Sequence, residues 1–391
     1  MARQTCLTAT GRGLRIAVAA MLLLGLASAG PAAYVLCQQP TSDPLEGCPR
    51  GTILVRPSES VQSAIAALPR DASPQVILIL PGHYTEQLDV KRPGPTALLG
   101  QTAHPTNRKR NRVRIAWAAA VVKGGHADAA STAVLTVAPV LGARRAAPAD
   151  DFYGCKRFSA YNIDFSNDYA HSAVGPSLVV SLTYANAGFY WCGIYGYQDT
   201  VFVGMQANAY FYRSEIAGQV DFLYGFGTAW LQNVDITLRG CGGGITAWKG
   251  QSTSSANKYG VYVSDSRVGA ANASVGAAIA ATCYLGRPWN DLHRSVFFNT
   301  WLDGSIAPAG YSTWNNAPSG APGSRYGIGT FMAEYGGKGP GFDLRGRQAG
   351  RVTRVLTSDE VGPYRTPEHV FTTWKGEQPN IEWIDPAAYI W

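Results

Sequence analysis

Residues 189–236 read FYWCGIYGYQDTVFVGMQANAYFYRSEIAGQVDFLYGFGTAWLQNVDI, and this stretch decides the fold. It repeats one phrase three times. Phe189–Tyr195, Tyr210–Ile216 and Ala229–Ile236 each open on an aromatic or apolar residue, pass a small or polar centre, reach an isoleucine and run towards a turn containing Gly or Asp. Working outward, related β-branched and aromatic runs occur at Val76–Leu80, Val134–Val137, Phe158–Phe165, Tyr259–Val268 and Val296–Leu302. With Phe165, Ile194, Ile216, Ile236, Val268 and Leu302 taken as equivalent, the steps are 29, 22, 20, 32 and 34 residues. A unit of about 20–25 residues with loops inserted at one corner predicts a coiled parallel β-solenoid, in which no turn can bury its apolar face without a neighbour. A β-sandwich also repeats, but usually every ~8–12 residues.

The remaining composition agrees with an all-β chain. Of 391 residues, 46% are hydrophobic and only 15% charged, with 44 Gly, which excludes a wholly disordered protein and disfavours long surface helices. One short helix is predicted, capped by Ser60, with Val61, Ile65 and Leu68 on one face before Pro69. Arg3, Arg12 and Arg15 precede the apolar run Ile16–Leu26 and the small-residue triplet Ala27-Ser28-Ala29, the pattern of a cleaved secretory signal. The run is too short to span a bilayer. The reading is therefore residues 1–29 as signal peptide, 30–50 as an exposed N-terminal segment and 51–391 as one domain, secreted to the extracellular side and free of the membrane. Removing three Arg lowers the net charge from +7 to 7 − 3 = +4, which is compatible with a polyanionic substrate. Six Cys then remain. Cys37 and Cys48 could close a short loop, and Cys192 suits a buried free thiol. No Cys-x-x-Cys, His-Glu-x-x-His, Gly-x-Ser-x-Gly or phosphate-loop pattern occurs, so neither a metal nor a cofactor is expected.

Two acids stand out. Asp199 in Tyr197-Gln198-Asp199-Thr200 and Asp221 in Gln219-Val220-Asp221-Phe222 lie 22 residues apart, one turn of the proposed solenoid. Residues one turn apart sit on adjacent strands roughly 4.8 Å apart. Two carboxyls that close divide their roles, one holding a proton and the other ionised, which supplies an acid and a base or nucleophile at one pH. An Asp after a strand is also an ordinary turn residue, and spacing alone leaves that reading open.

Gly196-Tyr197-Gln198-Asp199-Thr200, Val220-Asp221-Phe222 with Gly225, and Leu285-Gly286-Arg287-Pro288-Trp289 resemble three signature segments of the pectin methylesterases (pectinesterases), in the family's order. Gly82-His83-Tyr84-Thr85-Glu86 resembles a fourth, and the similarity runs from about Val55 to Tyr364. The resemblance implies a right-handed parallel β-helix and hydrolysis of methyl esters in homogalacturonan without a cofactor. It assigns Asp221 as nucleophile, Asp199 as the acid that protonates methanol and then activates water, Gln198 as an oxyanion donor and Arg287 as the partner of Asp221. Trp289 would offer a face to a sugar ring, though half-buried packing would also suit it, and Phe222 would shape the same cleft.

The chain departs from the pattern at one donor. Where the family places a second oxyanion Gln, alignment on Phe189-Tyr190 finds Ser177, or Pro176 without a gap, and no Gln lies between Asn167 and Gln198. Losing one such donor typically costs about 10²–10³ in turnover, so a weak or inactive β-helix protein that binds acidic polysaccharide is the first alternative. A pectate lyase-like β-helix enzyme is the second. The expected partner is methyl-esterified pectin, with no nucleic acid, and the expected state is a monomer.

Overall fold

The residues aligned by sequence form a physical column. In the computed structural model, which describes residues 31–123, 126, 128–139, 155–250, 259–314, 324–373 and 377–389, Phe165, Ile194, Ile216, Ile236, Val268 and Leu302 pair directly, each with the next. These pairings are all parallel. The chain coils as a parallel β-helix whose described strands form sheets of eleven, eight and seven strands. The expected all-β, single-domain architecture holds.

The aromatic runs from Phe158 onward each cover two strands round a corner. Phe158–Phe165 spans the strands Cys155–Tyr161 and Ile163–Asn167, with Asn162 between them at φ 54°. Trp191, Arg213, Asn233, Asp265 and Asn299 turn the same corner on later coils, at φ 47–54°. A left-handed backbone costs an ordinary L-residue about 1–2 kcal/mol and costs Asn and Asp least, which is why four of these six positions carry them. The third strand of most coils, such as Val180–Leu182, Val201–Val203 or Leu223–Gly225, is too short to show a period.

Inside the coil, rows of equivalent side chains stack. Phe189 and Phe211 lie 5.0 Å apart and nearly parallel, and Leu231 continues their row. Outside the eleven-stranded sheet a second aromatic row, Tyr190, Tyr210, Trp230 and Tyr262, is also buried, because the C-terminal segment lies across it. The Tyr161 hydroxyl donates to Asp385 at 2.8 Å, the Asp385 amide donates to the Tyr190 oxygen at 2.8 Å, and the Tyr210 hydroxyl donates to the Ala388 carbonyl at 2.8 Å.

At the other end, Ser60 caps the helix Val61–Ala67 by accepting from the Ser63 amide, as its sequence predicts. The segment 30–50 is largely exposed, as expected, but it is tied to the coil. It contains a helix, Pro31–Gln38, and the Cys37–Cys48 disulfide, with Cys37 and Gln38 buried and Tyr34 against Tyr161. These contacts anchor the segment at Cys37 and Gln38, and most of its other described residues are exposed. A second disulfide joins Cys241 to Cys283, while Cys155 and Cys192 are buried thiols that burial pushes up to about 12. The signal-like stretch 1–29 lies outside the described residues.

Candidate active site

The corner between the eight-stranded and seven-stranded sheets carries the acids. Gly196–Thr200 links the strand Gly193–Tyr195 to Val201–Val203, and Gln219–Phe222 links Glu215–Gly218 to Leu223–Gly225. Val201 pairs with Leu223, so Asp199 and Asp221 occupy the same position on successive coils. Both adopt left-handed backbone, at φ 59° and 46°, a conformation Asp tolerates better than most residues.

Their surroundings differ. Arg287 follows the strand Tyr284–Gly286, two coils beyond Asp221. Its Nε donates to one carboxylate oxygen of Asp221 at 2.9 Å and its Nη2 to the other at 2.6 Å, while the Gly244 amide donates at 3.0 Å. This fork holds a carboxylate that is only 7% exposed. The Asp199 carboxyl has no hydrogen-bond partner among the described residues. Its pKa is pushed up to about 7, first by burial and then by the charge of Asp221, with Arg287 opposing. One carboxylate is thus forked by a cation, and its neighbour Asp199 is poised to carry a proton at neutral pH.

Gln198 and Ser177 fall side by side on the adjoining column. The Ser177 amide donates to the Gln198 carbonyl at 3.1 Å, which places Ser177 one coil below Gln198 as the alignment requires. Its hydroxyl, on a residue 8% exposed, also turns to that carbonyl at 3.4 Å. The Gln198 side-chain amide has no partner among the described residues. Phe222 does not face the cleft. It is 0% exposed in the main core, with its ring packed so closely against Gly218 that a Cβ there would overlap it. Its apolar ring follows the core, and the expectation that it touches substrate is corrected.

A cavity of about 400 Å³ opens beside Asp199, walled by Leu178, Phe202, Tyr224, Phe226, Lys249 and Trp289. Trp289 joins this aromatic wall, 5.8 Å from Tyr224 and 6.3 Å from Phe226 between ring centroids, with the Lys249 ammonium 4.1 Å from its own centroid. Arg287 lines a neighbouring depression of about 470 Å³ with Gly242, Gly243 and Ser312.

Sequence reasoning missed several parts of this site. A Cβ on Gly243 would lie 2.7 Å from an Asp221 oxygen and 2.9 Å from the Arg287 Nη2, so only glycine leaves room for the ion pair. The run Gly242-Gly243-Gly244 was the available signal. His293 is fully buried and held neutral, its pKa pushed down to about 3 by burial. It accepts from the Trp248 amide at 3.0 Å and donates to Ser295 at 2.7 Å, fixing the strand end that precedes Lys249 and bonds Trp289. Trp314, the aromatic partner of Arg287, lies far from any signature segment.

A protein-family model described as pectinesterase matches residues 147–372. The chain is similar to probable pectinesterase A of Aspergillus niger, 28% identical over 289 residues, which are 74% of this chain and 77% of that protein. Among solved structures it is similar to the pectin methylesterase of Aspergillus niger, with a TM-score of 0.68 and 26% identity over 87% of this chain and 98% of that one. A pectin methylesterase solved in complex with a hexasaccharide matches with a TM-score of 0.62 and 25% identity, over 84% of this chain and 98% of the other.

Proposed function

The chain belongs to the pectinesterase family, and from that premise we propose that it hydrolyses the methyl esters of pectin through the two carboxyls at its corner. The observation that carries this reading is the unequal pair: Asp221 forked by Arg287 and Asp199 raised to about 7.

In the proposed mechanism an ionised Asp221 oxygen attacks the ester carbonyl carbon of a galacturonate. The carbonyl electrons move to oxygen, where the Gln198 amide donates a hydrogen bond to the oxyanion. Collapse breaks the bond to methoxide, which leaves as methanol with the Asp199 proton, and an acyl-enzyme anhydride remains on Asp221. Asp199, now a carboxylate, takes a proton from water as that water attacks the acyl carbon. Collapse releases the product as its carboxylic acid, which gives its proton to solvent, while Asp221 is regenerated as a carboxylate and Asp199 is protonated again. Arg287 aims the Asp221 carboxylate through its fork, and Trp289 supports a sugar ring. The Ser177 hydroxyl, turned to the Gln198 main chain, leaves this oxyanion with fewer side-chain donors than the family pattern supplies.

The setting follows from the same features. The arginine-led apolar N-terminus and the two disulfides suit an exported protein. No described helix is long and apolar enough to cross a membrane. Both acids and the arginine come from one chain, which suits a working monomer.

The test is methanol release from methyl-esterified pectin by the purified protein. Steady release supports the esterase. Binding without release supports a polysaccharide-binding protein, and unsaturated products absorbing in the near ultraviolet support a lyase.

A further inference from the structure

Arg239 reaches back across two coils to the turn that carries Asp199. Tyr195, Ala217 and Thr237 pair in register, so Tyr197, Gln219 and Arg239, two residues on, share a position on successive coils. The Arg239 amide donates to the Gly218 carbonyl at 2.8 Å, which ties its main chain to the coil of Asp221. Its side chain runs past that coil. The Arg239 Nη1 donates to the Gly196 carbonyl at 3.1 Å, and its Cζ lies 4.9 Å from the Tyr197 ring centroid and 5.7 Å from that of Tyr195.

The Gly196 carbonyl stands where the strand ladder breaks. Gly196 itself donates to the Ala217 carbonyl at 3.2 Å, but the Gln219 amide, which would continue the ladder back to Gly196, turns to the Tyr197 carbonyl at 2.7 Å. Arg239 supplies the donor in its place, and two residues later the chain enters Gln198 and the left-handed Asp199. A charged donor makes a stronger bond than a neutral amide, and the two tyrosine rings hold its long side chain in place. With no partner for the Asp199 carboxyl among the described residues, its aim follows from the turn that bears it.

We propose that Arg239 is a positioning residue for ester cleavage, holding the Gly196–Thr200 turn so that the Gln198 amide and the Asp199 carboxyl meet the same ester group. This rests on the proposed roles of Gln198 and Asp199. Arg239 lines neither cavity at the site, so its effect passes through the turn. Proton affinity separates this role from that of a plain charge. The charged groups facing Asp199 are Asp221 and Arg287, with Lys249 across the cavity. Burial is the main cause that raises its pKa, so a loosened and wetter turn lowers it. Removing a nearby cation from an unmoved turn raises it instead.

The test compares the full wild-type chain with Arg239→Met, which keeps an apolar stem without donor or charge, and Arg239→Lys, which keeps the charge. On esterified pectin, Arg239→Met is expected to lower kcat about tenfold or more with KM within about twofold, the pattern of a misplaced group that acts in the transition state. Arg239→Lys should recover part of the loss. In carbon NMR titration, with Asp199→Asn as the assignment control, the Asp199 carboxyl is expected to titrate lower in Arg239→Met than in the wild type. If Arg239→Met does not fold, Arg239→Gln, with its shorter side chain, takes its place in both measurements. Unchanged kcat in the folded variant overturns the inference, and so does an Asp199 titration that stays put or moves up. If the wild type releases no methanol while Asp199 titrates lower in the variant, the esterase reading fails and the hold on the turn stands.

Discussion

At the scale of single residues, Arg287 reaches Asp221 from two coils away, and Asp199, one coil in the other direction, is left to burial and to its neighbour's charge. In the proposed mechanism the acylation step needs the protonated form of Asp199. Its pKa of about 7 therefore predicts that kcat/KM falls as pH rises through about 7, and a pH–rate profile of the wild type should show this limb. The same shift bears on stability. A carboxyl whose folded pKa lies above its unfolded value favours folding fully below the unfolded pKa and loses that contribution as pH rises through the folded one. Asp199→Asn should accordingly raise Tm near pH 8, by a margin that shrinks towards pH 4, as thermal melts at both values would show. Gly243 makes a second prediction at this scale. Gly243→Ala places a methyl group 2.7 Å from Asp221 and 2.9 Å from Arg287, so it should part the ion pair and cut turnover about tenfold or more while circular dichroism stays native.

At the scale of elements, the stacked rows do the folding. Phe211→Ala removes a fully buried ring from the Phe189 stack and should cost about 3–5 kcal/mol in urea unfolding. A loss under about 1 kcal/mol would show that the row does not carry the coil. These rows were legible in sequence because one isoleucine-type position recurs on every coil, and the column from Phe165 to Leu302 pairs as its spacing implies. Both acids were legible for the same reason. The corners were not, because Asn162, Asn233 and Asn299 interrupt aromatic runs without changing their composition. Three-residue strands such as Val201–Val203 carry no period, and nothing local shows that Asp385 and Ala388 will cover Tyr190 and Tyr210. Phe222 was misplaced since its neighbour Asp221 faces the site while the ring turns to the core. Gly243 and Trp314 act through space, across coils that only the register brings together.

At the scale of the whole molecule, the site is a product of stacking: Asp199, Asp221, Gly244 and Arg287 come from four successive coils. The Cys241–Cys283 disulfide ties together the two coils that present Gly243 and Arg287. Replacing both cysteines by serine should lower stability by about 2–4 kcal/mol and reduce turnover as well, which melts and methanol assays on one preparation would separate. The central claim, that a carboxylate on one coil attacks while its equivalent on the next handles the proton, is tested most directly by methanol release from esterified pectin in Asp221→Asn beside the wild type. The account predicts steady release by the wild type and a fall of at least about a hundredfold in the folded variant, since the amide cannot form the acyl-enzyme. A variant that kept more than about a tenth of wild-type turnover would contradict it.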